Sequence, residues 1–217
     1  MDWCYRITKR VFDFIAAGVG LVLLSPLMLV IYLLVRLTSR GRGFFVQERA
    51  GMDGRIFRLI KFRTMRAGHV HDPDPAIVID SRHEGLTAVG RLLRKFKLDE
   101  LPQLLNVLTG RMSLVGPRPT VPEQVAEYDD FKRQRLLARP GITGLAQVNG
   151  GTALTWDERI EWDVHYVHHR SGWMDLKILL LTPVSLLIGT ERRVRRFRDV
   201  HPEQAGSEHP PADRPSD

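Results

Sequence analysis

From Phe14 to Val35 the chain runs for 22 residues without a charged side chain, FIAAGVGLVLLSPLMLVIYLLV. This run restricts the possible folds more than any other feature. An apolar segment of 18 or more residues is long enough to cross the hydrocarbon layer as a helix. A secretory signal has an apolar region of only about 7–15 residues before a small-x-small cleavage site, whereas Arg36, Leu37, Thr38, Ser39 and Arg40 follow here. A buried helix of a soluble protein is the plain alternative. Ser25-Pro26 falls near the middle of the run, where proline removes an amide donor and crowds the preceding turn. Basic residues flank both ends, Arg6, Lys9 and Arg10 before and Arg36, Arg40 and Arg42 after, although a spanning helix should carry them mainly on its cytoplasmic side. Symmetric flanks and a central break predict a helix that enters the bilayer, turns at Ser25-Pro26 and returns to the same face. Ser25 would help satisfy the freed backbone groups. A kinked helix that crosses the bilayer is the competing expectation.

The average composition conceals this segment. At 43% hydrophobic and 26% charged over 217 residues, the chain is neither a disordered acidic tail nor a polytopic membrane protein, and it is long enough to bury a core. Lys and Arg number 32 against 25 Asp and Glu. The resulting +7 points to anionic partners: nucleic acid, phosphorylated ligands or an anionic membrane surface. The single cysteine, Cys4, excludes an internal disulfide and a Cys-based zinc cluster.

Further along, Phe44-Phe45-Val46 and Arg55 to Phe62 are β-prone around Gly51-Met52-Asp53-Gly54, which predicts two short strands and a turn. Residues 68–85 read as a loop and Gly90 to Phe96 as a short basic helix. Leu101, Leu104, Leu105 and Leu108 recur at the spacing of one helical face, with Asp99 as N-cap, Pro102 in the first turn and Gly110 at the stop. Met112 to Pro119 and Arg139 to Gly144 are Gly/Pro-punctuated loops. Pro122 to Leu137 and Trp156 to His169 read as helices. The apolar stretch Leu176 to Ile188, interrupted by Lys177 and Pro183, is too short to span and predicts a core or interfacial helix. Arg192 to Arg198 (RRVRRFR) is suited to lipid headgroups or, second, nucleic acid; the Pro- and acid-rich end beyond it reads as a disordered tail.

Asp99-Glu100 is the most suggestive acidic pair. Adjacent carboxylates at a helix start can supply a nucleophile, a general base or ligands for a hard cation such as Mg²⁺; capping and favourable dipole charge explain them equally well in isolation. Acidic catalysts that act on phosphates need cations to offset repulsion. Arg94 lies just upstream, Arg118 is held between Pro117 and Pro119, Arg139 leads another rigid loop, and Lys61 and Arg63 close the second strand. Each of these five is also readable as a surface charge. The histidines at 69, 71, 168 and 169 read as solvated, and His165 with His169 lacks a zincin pattern. No phosphate-binding Gly-rich loop or Gly-x-Ser-x-Gly elbow is present.

Four segments in order resemble one family: Lys61-Phe62-Arg63-Thr64-Met65, Leu98 to Val107 (LDELPQLLNV), Met112 to Pro119 (MSLVGPRP) and Arg139 to Gly150 (RPGITGLAQVNG). With the Ser25-Pro26 break they are similar to the bacterial sugar transferases known as small monotopic phosphoglycosyl transferases, over roughly residues 8–190. The resemblance implies an enzyme at the cytoplasmic face of a bacterial inner membrane that moves a sugar 1-phosphate from a UDP-sugar to undecaprenyl phosphate. UMP is released and assembly of a surface glycan begins. It implies Asp99 as nucleophile toward the donor's β-phosphorus through a phosphosugar-aspartyl intermediate, and Glu100 as Mg²⁺ ligand or orienting group beside it. Arg94 and Arg118 would meet diphosphate charge, with Lys61, Arg63 and Arg139 as further phosphate-binding candidates.

The implied fold is α+β and mainly helical. A re-entrant membrane helix-break-helix (1–42) precedes a cytosolic catalytic domain (43–190) with a small β element and interfacial amphipathic helices, then a basic and disordered tail (191–217). Membrane lipids are expected partners, nucleic acid is not, and a homodimer is compatible. The sequence corresponds to the minimal form rather than to the larger five-helix relatives. It departs from the family at Lys97, where many relatives carry Ser or Thr, and at Leu145, where tryptophan is common. A membrane-tethered module for nucleic acid or anionic lipid explains the charge and the apolar run without the dyad. A Mg²⁺-dependent phosphohydrolase explains the dyad without the lipid.

Overall fold

The computed structural model describes residues 3–39, 41–66, 85–189 and 194–203. Arg40, nearly all of the predicted 68–85 loop, Arg192, Arg193 and the tail from 204 lie outside the described residues. The first element, α1, is a single helix over Trp3–Thr38 with Pro26 inside it, about 54 Å long at 1.5 Å per residue. Proline deprives the Val22 carbonyl of its usual amide partner, and the Ser25 hydroxyl donates to that carbonyl at 2.8 Å. Helical structure therefore continues through the dipeptide where a break was expected, a side-chain donor standing in for the missing backbone one.

Only one stripe of α1 is covered. Ala17, Leu21 and Leu24 pack on Phe57, Leu59, Leu104 and Val107, and Met28, Ile31 and Val35 pack on Phe62 and Leu93. These six follow the three- and four-residue steps of one helical face. The other faces are bare: Val22 is 73% exposed, Leu23 72% and Leu37 83%. Among the described residues α1 is the one helix long and apolar enough to cross a membrane, and only 11% of its most apolar window is buried. The core helix of a soluble protein would be mostly covered, so that reading fails.

Polar contacts fasten the start of α1 to the body, and a ring contact sets its end against the same body. Near the start, Tyr5 Oη and Lys9 Nζ both donate to Asp175 at 2.8 Å. Arg10 donates to the carbonyls of Val107 at 2.7 Å and Leu108 at 2.9 Å, and Asp13 accepts the Leu114 N–H at 3.1 Å. Near the end, Arg36 donates to the Gly41 carbonyl at 2.6 Å and the Tyr32 ring lies 5.1 Å from that of Phe44.

The body begins with the expected hairpin. Strands β1 (Phe44–Ala50) and β2 (Ile56–Phe62) pair antiparallel, from Phe44 opposite Phe62 to Ala50 opposite Ile56. Asp53 (φ 57°) and Gly54 (φ 74°) make the turn. Helix α2 (Ala88–Lys95) is N-capped by Thr87, whose hydroxyl accepts the Gly90 N–H. The helix predicted over 98–110 is split into a 3₁₀ turn at Leu98–Glu100 and α3 (Gln103–Leu108). Asn106 on α3 donates to Arg58 O at 2.7 Å and accepts from Ile60 N at 3.1 Å, closing the open edge of β2.

The two Gly/Pro-rich loops each contain a three-residue strand, β3 (Ser113–Val115) and β4 (Gly141–Thr143), paired in parallel. Between them, α4 (Pro122–Ala126), α5 (Asp130–Arg133) and a 3₁₀ turn at Gln134–Leu137 replace the one helix predicted there. Asp129 starts a new helix by accepting the Lys132 N–H at 2.7 Å. Then come α6 (Leu145–Val148), α7 (Trp156–His169) with the predicted limits, α8 (Gly172–Ile188) and α9 (Phe197–Val200). Leu145, the first residue of α6, packs against the cores around Val148 and Trp162. Helix α8 leaves Trp173, Leu180 and Leu187 exposed.

The β3–β4 pair is a tight fit. A Cβ on Gly141 would lie 2.1 Å from the Gly116 nitrogen and 2.3 Å from the Thr143 carbonyl. We expect Gly141→Ala to lower stability by about 1–3 kcal/mol, as overpacking does. Thermal unfolding followed by circular dichroism in detergent checks this, at roughly 2–4 °C per kcal/mol for a chain of this size; an unchanged Tm would contradict it.

Candidate active site

The dyad is placed by an unusual backbone residue. Lys97 takes a left-handed conformation (φ 55°, ψ 20°), uncommon for a residue with a Cβ. The chain reverses there after α2 and carries Asp99 and Glu100 inward, leaving them 7% and 6% exposed. Asp99 is not the helix cap that the sequence allowed: its Oδ1 is buried with no hydrogen-bond partner. Leaving a buried polar atom unpaired costs about 1–3 kcal/mol, more if charged, which a purely structural carboxylate would avoid.

Glu100 is held by Arg118 in a two-pronged contact, Nη2 to Oε1 at 2.6 Å and Nη1 to Oε2 at 3.3 Å. The glutamate side chain is 7% exposed and the arginine 43%, so the pair is closed on its acidic side and open on its basic side. Burial alone would raise the Glu100 carboxyl, but Arg118, Lys97 and Lys61 together hold it well below the usual range. Asp99 behaves oppositely. Burial and then the Glu100 charge push its carboxyl up, against the pull of Lys61, Lys97 and Arg94. Two adjacent carboxylates thus differ in character because only one has a guanidinium of its own.

Of the five cations singled out in the sequence, three converge here. Lys61 on β2 is pushed down to about 8 by burial and by the Arg118 charge. Arg94 on α2 donates from Nε to Thr64 Oγ1 at 3.0 Å, and burial lowers it too. Arg118 completes the three. Arg63 lies elsewhere, its guanidinium against Gly41 in the α1–β1 connection. Arg139 donates to Gly110 O at 3.2 Å and lines a separate cavity with Arg6, Arg10 and Arg170.

Sequence reasoning missed Arg49. It donates to Gln47 Oε1 at 2.8 Å, its Nε is buried without a partner, and burial and then Arg118 lower it to about 10. A signal did exist: with hairpin pairing of Phe45 to Lys61 and Arg49 to Phe57, alternation puts Arg49 and Lys61 on one face. Arg135, also missed, is a positioning residue. Buried at 3% exposure, it donates to the Arg118 carbonyl at 2.9 Å and the Tyr128 hydroxyl at 2.6 Å and pairs with Asp163.

Among the described residues no three His, Cys, Asp or Glu converge as a metal cage. Two neighbouring carboxylates, one with a free buried oxygen, nevertheless suit Mg²⁺, which keeps its waters and takes one or two carboxylates plus substrate phosphates. The arrangement can do three things chemically. It presents a desolvated carboxylate, sets Lys61, Arg94, Arg118 and Arg49 around the dyad as a whole, and leaves one edge of Arg118 open to an anionic ligand.

The family described as bacterial sugar transferase matches residues 4–189. The chain is 44% identical over 182 residues to an uncharacterized sugar transferase, EpsL, of Bacillus subtilis (strain 168), covering 84% of this chain and 88% of that one. It is 40% identical over 189 residues to the exopolysaccharide production protein ExoY of Rhizobium meliloti (strain 1021), covering 81% and 84%. It is 41% identical over 184 residues to a UDP-glucose:undecaprenyl-phosphate glucose-1-phosphate transferase of Klebsiella pneumoniae, covering 81% of this chain and 39% of that longer protein.

Two outcomes test the electrostatics. The unfolded chain ionises Asp99 at an ordinary value and the folded chain at a raised one, so folded stability falls as pH rises through that interval. Asp99→Asn should therefore melt higher near neutral pH, by roughly 2–4 °C if it relieves about 1 kcal/mol, and lose that advantage in acid; a lower Tm would refute the desolvated carboxylate. Lys61, titrating at about 8, should impose an alkaline limb on kcat/KM near that pH. Lys61→Arg should move the limb upward, because a guanidinium stays charged.

Proposed function

The chain belongs to the bacterial sugar transferase family, and from that premise we propose that it moves a sugar 1-phosphate from a UDP-sugar to undecaprenyl phosphate, releasing UMP. It is a transferase of phosphorus-containing groups, with UDP-glucose the donor named for several relatives and an exopolysaccharide the product named for others. The observation that carries the reading is the unpaired, buried Asp99 oxygen among cations that outnumber the dyad.

In this mechanism the donor diphosphate enters over Arg118, Arg94 and Lys61. An Asp99 oxygen attacks the β-phosphorus, and the bond from that phosphorus to the bridging oxygen breaks. UMP leaves with the electron pair, and the sugar phosphate stays on Asp99 as an acyl phosphate. A phosphate oxygen of undecaprenyl phosphate then attacks the same phosphorus. The carboxylate is expelled, and a lipid diphosphate sugar departs. Mg²⁺ bound by Asp99 and Glu100 would neutralise phosphate charge. Arg118, aligned by Glu100 and by Arg135 beneath its carbonyl, disperses charge on the transferring group. Desolvation, which raises the Asp99 carboxyl, also makes its anion a stronger nucleophile.

The same reading places α1 within one leaflet, entering and returning on the cytoplasmic face of a bacterial inner membrane. What supports it is that both ends of α1 meet one body: Tyr5, Arg10 and Asp13 bond to it at the start, and Tyr32, Ile31 and Val35 pack on Phe44, Phe62 and Leu93 near the end. A helix crossing the bilayer would set those attachments on opposite sides of a roughly 30 Å apolar layer. The bare faces of α1 and α8, with Trp3 and Trp173 exposed, then meet lipid, and the interfacial role of α8 follows.

With a donor labelled in its β-phosphate and no lipid acceptor, wild-type protein should release UMP and retain one label per chain. Adding undecaprenyl phosphate should discharge it. Asp99→Asn should take up no label and lose turnover by a factor on the order of 10⁴ or more, while Arg118→Lys should lose about 10²–10³ in kcat. Full activity of Asp99→Asn would sink the assignment, and release of free sugar phosphate without lipid would favour a phosphohydrolase. For topology, cysteines introduced at Thr8 and Arg42 in a Cys4→Ser background should react from the same side of sealed vesicles; opposite sides would refute the one-leaflet helix.

A further inference from the structure

A second cavity, of about 210 Å³, lies beside the start of α1, and the proposed chemistry does not use it. Tyr5, Arg6, Lys9, Arg10, Arg139 and Arg170 line it, with Asp13 and Asp53 as the acidic members of the wall. Lys9 is matched by Asp175 at 2.8 Å. Arg10 and Arg139 spend their hydrogen bonds on carbonyls at the end of α3, those of Val107, Leu108 and Gly110. These neutral acceptors hold the guanidinium groups in place without cancelling their charge. The Arg6 side chain is exposed and, among the described residues, makes neither an ion pair nor a hydrogen bond. Positive charge is therefore in excess on a concave wall where Arg10, Arg139 and Arg170 are already held in place by backbone carbonyls. Arg139 is lowered by burial and next by the charges of Arg10 and Arg6, which Asp13 and Asp53 offset only in part.

The depth of this cavity is indicated by its neighbours. Helices α1 and α8 begin side by side there, tied by Tyr5 and Lys9 to Asp175. Each begins with an exposed tryptophan, Trp3 at 73% and Trp173 at 72%. Tryptophan prefers the headgroup layer. Further along α1 the exposed apolar face starts with Val11, Phe12, Phe14 and Ile15. The cavity thus opens where lipid phosphates lie, above the acyl chains that α1 would meet.

We infer that this cavity is a binding site for the headgroup phosphate of an anionic membrane phospholipid. The inference rests on the membrane placement of α1 proposed above and on no step of the transfer reaction. A bound headgroup would supply the negative charge that the wall lacks. It would also fix the rotation of α1 about its own axis, because the site is built jointly by α1, the turn before β2, the start of β4 and the end of α7.

The test uses the full chain with vesicles of phosphatidylcholine alone and with about 30% phosphatidylglycerol, an anionic surface that attracts each nearby cation by about fivefold in binding. Wild-type protein should bind both and prefer the anionic vesicles. It should also carry one phosphatidylglycerol per chain in native mass spectra from detergent. Arg6→Gln should cut the anionic preference about fivefold, lose the one-to-one adduct and leave neutral-vesicle binding unchanged. Arg91→Gln, which removes an exposed cation of α2 away from the cavity, should keep the adduct and change the preference by less than twofold. Equal losses in the two variants would reduce the effect to general surface charge and overturn the site. Suppression of the adduct by inorganic phosphate at about 10 mM, far below the roughly 0.15 M of physiological ionic strength so that screening alone is small, would assign the cavity to a free anion and overturn the lipid. Failure to bind neutral vesicles would instead refute the membrane placement, independently of UMP release.

Discussion

The contact on which the rest of this structure depends is the grip of Arg10 on the carbonyls of Val107 and Leu108, with Asp13 on the Leu114 N–H beside it. An apolar helix next to lipid gains little by preferring protein, because acyl chains are as apolar as leucine. The stripe from Ala17 to Val35 therefore sets the register of α1 on the body more than it holds the helix there. In the membrane placement proposed for α1, polar contacts across the boundary do the holding, since a guanidinium or carboxylate released into the bilayer would lose its partners at a cost of several kcal/mol. The same contacts define the site. Leu108 ends the helix that starts just after the dyad, and Leu114 belongs to the strand that leads into Gly116-Pro117-Arg118.

The site obtains two unlike carboxylates from two adjacent residues by giving them unequal neighbours. Glu100 has Arg118, whose backbone Arg135 fixes from beneath, and stays ionised. Asp99 shares more distant cations and keeps a bare oxygen. The cations are themselves strained, since burial depresses Lys61, Arg94 and Arg49 and the Arg118 charge depresses Lys61 and Arg49 further. The proposed donor diphosphate would relieve that repulsion, which makes the site complementary to a multiply charged ligand rather than to the carboxylates alone.

Much of this was legible in the residues. The hairpin followed from β-prone runs around Gly51 to Gly54, and the limits of α7 were legible as Trp156 to His169, whereas the Thr155–Glu158 capping box that starts it emerged only in the fold. The dyad and three of its cations followed from motif order. What escaped was nonlocal or too short to leave a pattern. Strands β3 and β4 are three residues each and pair across 28 positions of chain, so neither has a period to read. The left-handed Lys97 is a tertiary choice that lysine does not advertise, and it explains why Asp99 turns inward instead of capping. Arg139, grouped with the phosphate ligands by its loop, belongs to a different cavity because β4 runs parallel to β3 and delivers it to the α1 side.

One consequence of the short helix α3 concerns distance. Its six residues amount to about 9 Å, and they separate the carbonyls gripped by α1 from the turn that bears the dyad. That makes α3 a gauge between the membrane helix and the reacting carboxylate. A helix that is held from one interface, as proposed for α1, does not feel the far leaflet, so variation in bilayer thickness, which tilts or strains spanning helices, leaves this gauge unread. The altitude of the chemistry above the lipid is then set by the protein alone and is the same in a thin membrane as in a thick one.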